Sequence, residues 1–113
     1  MTLNKYLKMF FTFAVGLFAF VVQAPGEFSV DEAKNIRIIA DKFVPTTAQQ
    51  TTFLTSAKGL VASFSKATSV QRAFVIESIE DARYGGTMAP IQNDLDALLV
   101  TAKATPAGIA SNT

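Results

Sequence analysis

The chain has 113 residues, half of them hydrophobic, with a net charge of +1 and neither cysteine nor histidine. That length holds one small domain. The missing Cys and His exclude a disulfide framework, remove the usual zinc, haem and iron–sulfur ligands, and rule out an ordinary Ser-His-Asp triad.

The apolar residues are unevenly spread. Lys5 and Lys8 precede a run from Met9 to Val22 that is broken only by Thr12 and Gly16. At about 14 residues the run matches the apolar region of a signal peptide, whereas a spanning helix needs roughly 20 residues to cross the hydrocarbon layer. Val22-Gln23-Ala24 offers small residues for cleavage, with Pro25 an awkward neighbour, and Ala24-Pro25-Gly26 offers a second site before Glu27. Residues 1–26 are therefore expected to be a signal peptide. The alternative is a retained signal-anchor, with the lysines on the cytoplasmic side. Either way, residues from Glu27 onward are expected outside the cytoplasm, secreted or held at a membrane by a single pass.

From Glu27 onward, eight Lys/Arg face nine Asp/Glu. A balance of about −1 provides no counterion-release drive toward nucleic acid and no polybasic hold on anionic lipid.

Four helices are expected over residues 27–104. The first opens at the capping box Ser29-Val-Asp-Glu32 and carries Ala33, Ile36, Ile39, Ala40 and Phe43 on one stripe, up to a stop at Val44-Pro45. The second opens at Thr46-Thr47, with Gln49 or Gln50 as reciprocal partner. Its stripe is Phe53, Ala57, Leu60, Val61 and Phe64, and it ends near Ala67. Gly59 lies inside it at a cost of up to ~1 kcal/mol relative to Ala, which a close helix crossing would explain.

The third helix is capped by Thr68 or Ser69, with Gln71 completing a T-x-x-Q box. Val70, Ala73, Phe74, Val75, Ile76, Ile79 and Ala82 cover more than half its circumference, as in a central helix or one that meets a partner. Gly85-Gly86 closes it after Tyr84. The fourth opens near Pro90 with a stripe of Ile91, Leu95, Leu98 and Ala102, Leu99 beside it, and stops at Pro106 and Gly108. Residues 105–113 read as a flexible tail. Short connections point to an all-α fold, a small antiparallel up-and-down four-helix bundle behind the N-terminal hydrophobic helix.

Three groups of residues have the types needed for chemistry. Glu77, Glu80 and Asp81 share one helix face, but Ca²⁺ needs six to eight oxygens and no loop supplies the rest. The simpler reading is a solvated face near Arg83 or Lys58. A Ser–Lys dyad is conceivable, for instance Ser56 or Ser63 with Lys66, but nothing selects one serine from many. Tyr84-Gly85-Gly86 is a turn before it is a binding loop. The expectation is thus no catalytic residue, no metal and no cofactor. What remains is a small secreted protein that binds a hydrophobic small molecule or a protein partner through apolar helix faces. Phe74, Val75, Ile76 and Ile79 are the candidate contact residues. The alternative is a membrane-anchored accessory subunit of a larger assembly, stabilised by its neighbours.

Overall fold

The computed structural model describes residues 27–109. The N-terminal signal or anchor helix expected over residues 1–26 lies outside them, as do residues 110–113. The described residues are all-helical: α1 (Val30–Ala40), α2 (Thr47–Ala62), α3 (Ser69–Tyr84) and α4 (Gln92–Ala104), with 3₁₀ turns at Phe64–Lys66 and Ala89–Ile91.

Start signals act as the sequence indicates. The Ser29 hydroxyl accepts the Glu32 N–H at 3.1 Å, and Asp31 and Glu32 lie in the first turn of α1, where carboxylates oppose the helix dipole favourably. The reciprocal half of that box is not made. Thr46 and Thr68 form complete boxes with Gln49 and Gln71, satisfying two otherwise orphan N–H groups at each helix start.

Stop signals differ more. α1 ends at Ala40, three residues short of Phe43. The Lys42 N–H bonds back to the Ile39 carbonyl, a tight i→i−3 closure, and residues 41–44 then turn the chain so that Pro45 is buried. Phe43 is consequently 93% exposed rather than a member of the α1 stripe. α2 stops at Ala62, where Ser63 caps it with its own N–H and with its hydroxyl, which donates to the Gly59 carbonyl at 2.6 Å. Gly59 is not at a close crossing: a Cβ there would meet only a Glu32 carboxylate oxygen, 4.0 Å away. After α3, Gly86 takes the left-handed conformation at φ 73°, which only glycine adopts without strain.

The core is built from Ile36 of α1, Phe53 and Leu60 of α2, Val75 and Ile79 of α3 and Leu95 of α4, with Phe64 and Met88 from the connections. α1 packs on α2 and α3, and α4 packs on α3 and α2, which makes α2 and α3 the middle of the unit. Arg83 meets Asp96 while Arg72 meets the last turn of α4, so α3 and α4 run antiparallel.

Residues 105–109, the first part of the expected tail, are bonded to the α2–α3 junction. The Gly108 N–H donates to the Phe64 carbonyl at 2.9 Å and the Ile109 N–H to the Ala67 carbonyl at 3.1 Å. Arg72 donates to the carbonyls of Thr105, Lys103 and Ala102 at 2.7, 3.1 and 3.3 Å. It thereby satisfies the end of α4, with its guanidinium over the Phe64 ring. The segment is a strap across the α2–α3 junction.

Candidate functional site

Helix α3 divides the four candidate contact residues. Val75 and Ile79 are fully buried, and Ile76 is partly buried against the core. Phe74 is 37% exposed, and Val70, one turn before it, is 58% exposed. A partner meeting the folded protein can therefore reach Phe74 and part of Ile76, whereas Val75 and Ile79 hold the core together. Burial of Val75 and Ile79 follows from their position on the arc shared with Ala82 and Ser78.

Ser78 occupies a core position that hydropathy does not mark. Its hydroxyl is fully buried, donates to the Phe74 carbonyl at 2.9 Å and accepts from Arg37 at 3.4 Å. This satisfies a group that would otherwise be costly to enclose. The same Arg37 bridges Asp41 at 2.6 Å and Asp81 at 3.0 Å. Those contacts, the hydrogen bond to Asp41 foremost, bind its proton still more tightly than usual.

The acidic group on α3 is distributed among neighbours. Asp81 goes to Arg37 of α1, and Glu80 takes Lys103 of α4 at 2.8 Å. Arg83, expected near this group, bonds Asp96 at 2.6 Å instead. Among the described residues no three acidic side chains converge as a metal-ligand set. Glu32 is shadowed by α2, and partial burial raises the pKa of its carboxyl.

The other candidate groups are tied into local structure. The Ser63 proton is directed to the Gly59 carbonyl, not toward Lys66. A shallow open groove runs along the strap, lined by Ser69, Arg72, Lys103, Ala104, Pro106 and Ala107. Its charged groups are already engaged, Arg72 by backbone carbonyls and Lys103 by Glu80.

Sequence reasoning did not single out the remaining surface apolar residues. Val44 (85% exposed) adjoins Phe43 on the α1–α2 loop, Ile38 and Val30 stand off the α1 stripe, and Val100 is bare on α4. Their positions outside the 3.6-residue stripes were the available signal. No helix among the described residues is long and apolar enough to cross a membrane. Comparison of the chain with family models, with curated proteins and with solved structures returns no match.

Proposed function

We propose that this is a small exported, non-catalytic protein whose helices form an antiparallel up-and-down unit and which binds a protein partner through apolar side chains left outside its core. The observation that carries this reading is the split on α3. Val75 and Ile79 are consumed by the core, while Phe74 and Val70 stand on the surface of the same helix. Exposed aromatics of this kind supply anchors at protein interfaces, since a rigid ring contributes much buried area for little lost entropy.

A protein partner is favoured over a hydrophobic small molecule inside the bundle. Phe53 and Phe64, the rings best placed to line such a cavity, are fully enclosed, and Phe64 is stacked under Arg72. Export rests on the Lys-flanked apolar run and the small residues at Val22 and Ala24. The N-terminal residue and intact mass of the natural protein test it. A start at Pro25 or Glu27 is expected. A retained Met1 with detergent-dependent solubility would replace this reading with the anchored accessory subunit.

A further inference from the structure

The α1–α2 loop presents two apolar side chains at one point: Phe43 is 93% exposed and Val44 85%. Both are fixed from either side. Before them, the Lys42 N–H bonds to the Ile39 carbonyl at 3.1 Å. After them, Pro45 is buried, its carbonyl accepts from the Gln50 amide at 3.2 Å, and Thr46 opens α2 with a complete capping box. Only Phe43 and Val44 lie between these anchors. The backbone therefore holds the pair out of the core and sets its position before any contact is made, which lowers the ordering cost of docking.

Charges around this tip are few and largely neutralised. Asp41 is bound by Arg37 at 2.6 Å, and the same guanidinium holds Asp81 at 3.0 Å. Asp81 lies one turn before Tyr84, which ends α3 and is 68% exposed. Lys42 makes no ion pair among the described residues. Residues 43–57 carry no charge, and no acid follows Asp41 until Glu77. The first turns of α2 instead expose the hydroxyls of Thr46, Thr47, Thr51 and Thr52.

This chemistry fits a phospholipid surface. The tip can sink toward the acyl chains without stripping water from a carboxylate. Lys42 can extend its ammonium back to the phosphates, with the threonine hydroxyls at headgroup level. Tyrosine is also favoured at that boundary. A protein interface is the poorer fit. Two projecting side chains supply a small part of the roughly 800 Å² that each partner gives to a stable complex, whereas a bilayer needs no matching pocket.

The geometry points to the Phe43–Val44 tip as a membrane-docking element that inserts into the interfacial layer of a phospholipid bilayer. Its drive is apolar burial. One lysine adds little, so docking does not depend on anionic lipid. The element uses neither Phe74 nor Val70, so it and the protein-partner reading stand or fall separately.

The full chain has no tryptophan, so a single introduced one reports its surroundings without background. With phosphatidylcholine vesicles, Phe43→Trp is expected to shift its emission to the blue. It should also become about tenfold less accessible to iodide, since burying the ring favours lipid by at least that factor. Val100→Trp, at an exposed position on α4, is expected to change in neither respect, even where another part of the chain holds the protein on the vesicle. The Phe43→Trp response should persist in high salt, and adding Val44→Asp should remove it. Solvent-like emission from Phe43→Trp on vesicles would overturn the proposal and leave the tip to a protein partner. Equal changes at both positions, or a response that needs phosphatidylglycerol and vanishes in salt, would overturn it in favour of non-specific adsorption. Protection that grows with protein concentration in the absence of vesicles would overturn it in favour of a second copy.

Discussion

Two connections of this protein begin from similar sequence and end differently. The α1–α2 connection is Lys42-Phe43-Val44-Pro45 followed by a Thr46/Gln49 capping box, and the α2–α3 connection is Phe64-Ser-Lys-Ala67 followed by a Thr68/Gln71 capping box. Each carries one phenylalanine just ahead of a Thr-x-x-Gln start. Phe43 is almost wholly exposed and Phe64 is fully buried. The helices after them are capped alike, so local sequence is not what separates them. The difference comes from about 40 residues downstream, where the 105–109 strap and Arg72 cover the second connection and nothing comparable reaches the first among the described residues. An aromatic in a connection is a core residue only when some other part of the chain supplies its lid.

The largest expected effect tests that contrast directly. Phe64→Ala should lower unfolding free energy by about 3–5 kcal/mol, the usual cost of emptying a buried aromatic site. Phe43→Ala should stay within about 0.5 kcal/mol, as an exposed site does. Paired denaturant curves read both, and similar shifts would remove the distinction.

Next comes the lid itself. A Cβ at Gly108 would run into the Ser65 carbonyl oxygen, backbone that cannot move aside cheaply. Gly108→Ala is therefore expected to cost about 1–3 kcal/mol or to release the strap. Limited proteolysis between Thr105 and Ile109 should then become faster.

Arg72→Met keeps an apolar stem against Phe64 and removes three hydrogen bonds to the end of α4. Because the guanidinium is partly exposed, a loss of about 1 kcal/mol is expected, visible as a small drop in unfolding midpoint.

The smallest contrast is a null difference. Thr46→Ala and Thr68→Ala should each cost about 1 kcal/mol, since both remove one side of a complete capping box. Unequal losses would show that the junctions differ in their caps as well as in their covers.

Helix starts were legible because capping is local. Ser29, Thr46 and Thr68 each need only the next few residues to act, and all three do. The apolar stripes of α2 and α4 were legible for the same reason, being properties of one helix. Phe43 was misplaced because its spacing continues the α1 stripe while the backbone needed to reach buried Pro45 ends the helix first. The attachment of residues 105–109 was not legible because Gly108 and Ile109 bond through backbone N–H groups, which composition does not reveal.

The candidate site shows the same limit. The wide apolar arc of α3 was visible in Val70, Phe74, Val75, Ile76 and Ile79. Which of them the neighbouring helices would cover depended on packing of α1 and α4, and that left Phe74 outside and Val75 and Ile79 inside. Ser78 is the converse: a polar residue inside, legible only once Arg37 and the Phe74 carbonyl are seen around it.

The strap is the feature on which the comparison of the two connections turns, and amide hydrogen exchange of the full chain tests it most directly. The account predicts that the Gly108 and Ile109 N–H groups exchange slowly, with protection comparable to the first turns of α3 and lost together with it. Exchange of both amides at the rate of an unstructured peptide, while α3 stays protected, would contradict it.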